Sequence, residues 1–420
     1  MAACDLCHMF SRNSDFNAWL LVAVMFMALG VTFTGRASLP ILMTSWESDF
    51  GWTRTFMSAG GSIILIVMAI SAPVVGNLLD RYGPRFIVGP GLIVSGLSIG
   101  FMGLLDGKLA FLLLFCTTAA IGYGVVSIPI AAATIARKFD KNRGFASSLG
   151  MAGVGGGQAI FLPLIAWLIS VYGWRVALII FGFGLIATGC FSIICLDNEI
   201  KASETPGEAG NRSKHFSGKL RFILTNKIFW LLGLAYIICG FTTAGIVKVH
   251  FVPFVNLICG FSLNESALAY GVLALFDAVG MVLAGYLSDR VNRPMLLGVI
   301  YFFRALTFLI LFFIPTEFWI LILFAVAFGT LDFATVPLNA GLVADHLGLS
   351  TMGLTMGLMF AGHSIGGALG SFFGGAAYDF AASYDGVWLA GLGLAFVAAV
   401  LAWFVPESRK SECHLHSDRH

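Results

Sequence analysis

The sequence predicts an all-α membrane protein of twelve transmembrane helices arranged as two six-helix, pseudo-symmetric bundles. Three observations carry that prediction. Of the 420 residues, 58% are hydrophobic and only 11% charged, with a mean hydropathy of +0.91, whereas a soluble domain carries roughly 25% charged residues. Most of the surface must therefore face lipid. Apolar stretches of about 20 residues, enough to cross roughly 30 Å of hydrocarbon at 1.5 Å rise per residue, can be placed twelve times. Finally, the charged turn Gly76-Asn-Leu-Leu-Asp80-Arg81-Tyr-Gly83-Pro-Arg85 recurs as Gly285-Tyr-Leu-Ser-Asp289-Arg290-Val-Asn-Arg293-Pro, its glycine 209 positions later. That offset is half the chain, so the halves read as copies.

The first six spans are placed near residues 18–43, 55–79, 86–105, 109–135, 145–171 and 174–196. The second six fall near 229–256, 264–287, 294–314, 317–343, 351–378 and 385–404. The first run is too long for a signal-peptide core and lacks a small-residue cleavage site followed by soluble sequence, so it reads as a retained anchor. The chain then divides into an amino-terminal tail (1–17), a first bundle (18–197), a linker (198–227), a second bundle (228–405) and a carboxy-terminal tail (406–420). The linker run Ala202-Ser-Glu-Thr-Pro-Gly-Glu-Ala-Gly-Asn-Arg-Ser has the composition of solvated coil, and its latter part, 214–227, is readable either as that coil or as an amphipathic surface helix. The 50 glycines suit close helix approach within lipid.

Lysine and arginine placement sets the orientation. With both termini cytoplasmic, eighteen of the 24 basic residues fall in inner segments and only Arg54, Lys108 and Arg175 in outer loops. The cell (inner) membrane is the expected location. Eight scattered cysteines imply no disulfide framework. Cys4-Asp-Leu-Cys7-His8 spells a haem-attachment motif but lies in a segment expected to be reducing, and Cys413, His414 and His416 sit on a tail, so neither metal nor cofactor is expected. There is no phosphate-cradling loop, no hydrolytic triad and no nucleic-acid-binding patch. An enzyme and a nucleic-acid binder are both excluded on these grounds, and the expected partners are a transported solute, protons and lipid, with the monomer as the working unit.

The repeated turn, its place after the second span of each half, the twelve spans and the central linker together resemble the major facilitator superfamily, over the whole chain. Within it, three stretches are similar to monocarboxylate porters and the related oxalate–formate antiporter group: Asp49-Phe-Gly-Trp52-Thr-Arg54, Arg143-Gly144-x-Ala146 leading to Pro163 and Gly173-Trp174-Arg175, and His250-Phe-Val-Pro253-Phe. Drug–proton antiporters differ, having a buried arginine in the fourth span and a Gly-Pro pair in the fifth that this chain lacks. In the repeated turns, Gly76, Asp80, Arg81, Gly83 and Arg85, with Gly285, Asp289 and Arg290, are expected to form a gate. An aspartate there can meet a helix amino end while the arginines stay at phosphate level; the plainer role is topology alone.

Charges inside spans are costly and so mark function. Five stand out: Arg36, Lys248, Asp277, Arg304 and Asp332. Arg36 and Lys248 are 212 residues apart, close to the repeat offset, and the resemblance places their spans along a central cavity. They are expected to face each other there and bind an anion, with snorkelling to the headgroups as the alternative. Asp332 and Tyr123 complete the expected substrate site. The resemblance makes Asp277 a carrier of the coupling proton, although Met281 stands where that family has a partner arginine. Arg304 is expected near it as a cation or a structural partner, and His250 and His363 are candidates to accept protons near neutral pH, packing being the plainer role of each. The expectation is a secondary active transporter moving a small organic anion, a monocarboxylate above all, by alternating access with proton coupling or exchange. Transport of a larger siderophore- or drug-like metabolite, or a non-transporting membrane receptor, are the alternatives.

Overall fold

The computed structural model describes residues 14–136, 138–139, 146, 149–196, 212–288, 290–348 and 351–407. The tail residues Cys4, Cys7, His8, Cys413, His414 and His416, the loop residues Arg143 and Gly144, and Asp289 lie outside them. The side chains of Gly76, Asp80 and Arg81 are likewise outside.

In hydrocarbon every backbone N–H and C=O must be satisfied within its own segment, so apolar runs of this length become helices. Among the described residues ten continuous helical stretches are long and apolar enough to span a membrane. One of them, Leu149–Cys195, is 47 residues long, about twice the length one crossing needs. It is two spans, divided at Gly173, whose backbone (φ 80°, ψ 163°) no residue with a Cβ adopts without strain. Adding the glycine-rich helix Met352–Ala381 makes twelve.

We number these α1 (Ser14–Ala37 with Leu39–Phe50), α2 (Arg54–Tyr82), α3 (Arg85–Met102), α4 (Lys108–Val125 with Ile128–Ala136), and α5 and α6 (the parts of Gly153–Cys195 before and after Gly173). The second half follows as α7 (Lys227–Ile258), α8 (Leu263–Ser288), α9 (Arg293–Ile314), α10 (Phe318–Leu347), α11 (Met352–Ala381) and α12 (Asp385–Trp403). The first helix runs on to Phe50 instead of ending near 43, because Thr44 and Trp46 are carried into the protein interior and not into a loop. Between the halves, Arg212–Thr225 forms a helix. Its Ile223 is buried while Phe222 and Leu224 are exposed, and Trp230 donates to the Leu224 carbonyl, so this part of the linker is helix and not coil.

Glycines set the packing, and they set it twice. A Cβ on Gly157 would stand 2.1 Å from the Gly30 Cα, so α5 lies directly on α1. The equivalent pair six helices later is α11 on α7, where a Cβ on Gly240 would meet the His363 carbonyl oxygen at 1.9 Å. In the same way α3 meets α6 at Gly96 and Gly182, and α9 meets α12 through Gly298 against Trp403. The pair α2 and α4, with Gly60 under Phe111, corresponds to α8 and α10, with Gly280 under Thr330. The two six-helix bundles are thus built on one plan. They touch along α5 against α8, where Gly155 faces the Ala274 carbonyl, and along α2 against α11, where Gly61 and Gly375 face Ser371 and Ser58. Large apolar side chains on the outward surfaces, Phe183, Trp319 and Phe313 among them, are more than half exposed, which suits a lipid boundary.

We call the end that carries the Arg212–Thr225 helix the linker end and the opposite one the far end. The repeated turns lie at the linker end. Gly83 has φ 79°, as a tight turn ahead of Pro84 and Arg85 requires. Its counterpart Asn292 has φ −57° and instead caps α9, its side chain accepting from the Met295 N–H at 2.8 Å. The second turn is a different device with the same spelling. Arg293 ties it to α10 by pairing with Asp345 and by donating to the Ser288 carbonyl at 3.0 Å, while Arg290 lies over the Tyr286 ring at 3.6 Å.

Candidate transport site and far-end closure

Lys248 owes its setting to an irregular helix. In α7 the turns widen to i→i+5 spacing at Phe241–Val247 and again at Phe254–Ile258, with the regular segment Lys248–Pro253 between them. Such bulges re-aim side chains and recur at functional sites. Here Lys248 is turned towards α8 and α10: its Nζ lies 2.9 Å from Asp277 Oδ2 and 2.7 Å from Asp332 Oδ2. All three are buried. The Phe333 ring covers the ammonium at 4.3 Å. One cation therefore serves two carboxylates, and Asp277 Oδ1 is left without a hydrogen-bond partner among the described residues. Buried charges persist only when paired or hydrogen-bonded, and here the lysine is shared between two carboxylates.

Arg36 stands differently. It lines a cavity between the halves together with Phe33, Gln158, Lys248, Tyr270 and Phe333. No carboxylate among the described residues is in salt-bridge contact with it, and its guanidinium lies 5.7 Å from the centre of the Phe33 ring. Arg36 and Lys248 do share the cavity wall, but they are not equivalent: Lys248 is held in two salt bridges and Arg36 in none among the described residues. A smaller cavity on the other side of Phe333 is lined by Asp277, Met281, Met151 and Val154.

The other expected site residues lie elsewhere. Arg304 does not meet the Asp277 or Asp332 carboxylates. It is fully buried, and its guanidinium donates to the backbone carbonyls of Leu331 and Asp332 (2.7 Å for the latter) and to Cys239 Sγ at 2.9 Å, tying α9 to the bend of α10 between Asp332 and Thr335. Tyr123 is buried against Gly35, one residue from Arg36, and lines neither cavity. His250 is two residues from Lys248 yet points to the far end, where its Nε2 lies 2.9 Å from the Ser371 carbonyl and its Nδ1 3.2 Å from Tyr384 Oη. The carbonyl can only accept, so Nε2 carries hydrogen and Nδ1 accepts from the tyrosine hydroxyl. Gln158 and Tyr270 were not singled out from the sequence, being uncharged within their spans.

His250 belongs to a closure that joins the halves. Arg54 at the head of α2 is 2% exposed; it pairs with Glu47 at 3.0 Å, donates to Tyr384 Oη at 3.1 Å and lies 3.6 Å over the Tyr378 ring. Beside it Thr55 donates to Asp379, and Ser371 Oγ donates to the Ser58 carbonyl at 2.7 Å. Trp174 donates to Asp49 at 2.7 Å, and Trp52 stacks on Phe50 at 4.8 Å. Asp49, Trp52, Arg54, Trp174 and His250, drawn from three distant stretches of sequence, thus converge on one end of the molecule.

A charged cavity at the interface of two like-built six-helix bundles, sealed at one end, is the architecture of a carrier. The sequence profile of the Major Facilitator Superfamily matches residues 24–356 and 251–418. The chain belongs to the Major Facilitator Superfamily. It is a multi-pass membrane transporter and not an enzyme. Among curated proteins, the superfamily member Monocarboxylate transporter 13 of Rattus norvegicus is 24% identical over 376 residues, covering 87% of this chain and 83% of that one. The Oxalate:formate antiporter of Oxalobacter formigenes is 27% identical over 299 residues, covering 69% and 66%. Among solved structures a D-xylose-proton symporter shares the fold at a TM-score of 0.74 and 17% identity, over 94% of this chain and 99% of that chain.

Proposed function

We propose that this transporter carries a small organic monoanion, a monocarboxylate above all, and that Arg36 holds the carboxylate. The observation that carries this reading is the inequality of the two cavity cations. Lys248 is salt-bridged to both Asp277 and Asp332, whereas Arg36 faces the cavity with no carboxylate in salt-bridge contact among the described residues, the Asp332 charge reaching it only at longer range. A guanidinium with no salt-bridge partner in a low-dielectric cleft has donors free for an anion, and its planar fork suits a carboxylate. The similarity to a monocarboxylate transporter and to an oxalate:formate antiporter supports the same cargo.

Exchange follows from the same charges. With a monoanion bound, Arg36 is paired and the halves can close over a low-dielectric site; empty, the carrier must bury a cation that has no salt-bridge partner to reorient, which costs several kcal/mol. Loaded forms therefore cross faster. A second reading, proton symport, is favoured by the unpartnered Asp277 Oδ1, which could take a proton when Lys248 turns to the cargo. In both readings the linker end, where the basic turns lie, faces the cytoplasm and the far end faces outward.

Proteoliposomes test both. Labelled short carboxylates should enter saturably, uptake should rise when the vesicles are preloaded with unlabelled substrate, and Arg36→Ala should abolish it while leaving the protein folded. Unimpaired uptake by the Arg36 variant would remove the binding role. A proton gradient that drives accumulation in the wild type but not in Asp277→Asn would select symport over exchange.

A further inference from the structure

The helix Arg212–Thr225 does not run on into α7. Between them Asn226 is extended (φ −82°, ψ 122°) and caps α7, its side chain accepting from the Ile228 N–H at 2.8 Å, so the chain turns a corner. Two contacts fix that corner. Ile223 is buried in the apolar cluster of the second bundle that holds Phe229 and Leu232. The Trp230 indole reaches back to donate to the Leu224 carbonyl at 2.8 Å, one of the last four of its helix, which have no partner along the helix itself. The level of the corner follows from α7. Lys227, Trp230 and Leu234 fall on one face at helical spacing and all three are exposed, so that face passes from ammonium through indole to aliphatic side chain within about two turns. An outward tryptophan whose N–H is already satisfied, between a lysine and a lipid-facing leucine, marks the boundary of headgroups and hydrocarbon. At that boundary Phe222 and Leu224 are exposed on either side of Ile223, with Arg221 exposed next to them.

The charge here is of one sign. The helix and its corner carry Arg212, Lys214, Lys219, Arg221 and Lys227, and no acidic residue stands between Glu208 and Glu265. Exposed phenylalanine and leucine beside basic side chains suit a surface that is apolar underneath and negative on top. We propose that this corner binds anionic phospholipid in the linker-end leaflet: Phe222 and Leu224 enter the acyl boundary, and Arg221 and Lys227 meet the phosphates of lipids with net negative charge. Because Ile223 and Trp230 hold the helix to α7, the same contact anchors the second bundle to that leaflet while the halves move against each other. The assignment is independent of the cargo. Each basic side chain near such a surface favours binding by about fivefold, so the pair discriminates charged from neutral lipid measurably.

Contact with lipid is read at the corner itself by a bimane fluorophore on Phe222→Cys, in the full-length protein with the eight native cysteines replaced, reconstituted in phosphatidylcholine vesicles doped with brominated phosphatidylglycerol or brominated phosphatidylcholine. Both brominated lipids should quench, the phosphatidylglycerol at a mole fraction lower by about fivefold or more. Arg221→Gln with Lys227→Gln should bring the two curves within about twofold of each other and leave quenching by the phosphatidylcholine unchanged, which shows the helix still seated. A label on Leu224→Cys repeats the measurement should the first variant fail to fold. No quenching by either lipid would put the helix in water and overturn the proposal. Equal quenching by both lipids before the double substitution, or a preference that survives it, would overturn the recognition of charge by Arg221 and Lys227.

Discussion

Lys248 and Arg36 are both cations inside spans, yet removing them should have opposite consequences for the fold. Truncating Lys248 leaves two carboxylates facing each other in a buried site, and deleting one partner of a buried pair costs about 3–5 kcal/mol. Arg36 has no salt-bridge partner, so its loss removes a desolvated charge and breaks no direct ion pair. Thermal unfolding of the purified proteins should therefore show Lys248→Ala clearly destabilised and Arg36→Ala at or above wild type, while both lose transport. An Arg36 variant as unstable as the Lys248 one would mean that Arg36 is itself paired. All five charges within the spans were visible in the sequence, because lipid tolerates so few that each one stands out. Their partnerships were not visible: Lys248 lies 29 residues from Asp277 and 84 from Asp332, and periodicity says nothing about which helices touch. Gln158 was missed for a simpler reason, since an uncharged amide in an apolar run gives no hydropathy signal.

At the level of helices the controlling contacts are backbone to backbone. Gly157 on α5 and Gly30 on α1 leave no room for a side chain, whereas Gly184 on α6 meets nothing within 4 Å. Gly157→Val should push α1 and α5 apart and reduce the monodisperse fraction in size-exclusion chromatography severely; Gly184→Ala should leave it unchanged. A well-behaved Gly157→Val protein would refute the close approach. Spans of this kind are easily located by length and hydropathy, but the glycines that face a neighbour cannot be told from those that face lipid without the packing. The same holds for α7, where the widened turns around Lys248 depend on contacts with α11 that no local propensity records. The helix Arg212–Thr225 was readable two ways for a related reason: its few apolar residues fold one way only once Ile223 has a surface to cover.

Across the whole molecule, the halves are joined at the far end by Arg54, Tyr384, Tyr378 and the Ser58–Ser371 contact, so carriage of a solute requires that seam to part. A Cβ on Gly375 would lie 2.8 Å from the Ser58 Cβ, nearer than the ~3.8 Å of a disulfide, so a slight separation of α2 and α11 brings the pair to bonding distance. In a background with the eight native cysteines replaced, Ser58→Cys with Gly375→Cys should cross-link under mild oxidant and stop uptake, and reduction should restore it. Uptake that continues in the cross-linked protein would rule out alternating access through this end.

Composition, span length and the 209-residue repeat were enough to reach the membrane class, the twelve spans and the superfamily, because each reflects a constraint that lipid or duplication imposes on the chain in one dimension. Which cation is free, which is matched, and what closes the far end depend on side chains brought together from opposite halves. Those pairings are set by how the bundles pack, and electrostatic energy depends on distances of a few ångströms that exist only once the helices have met.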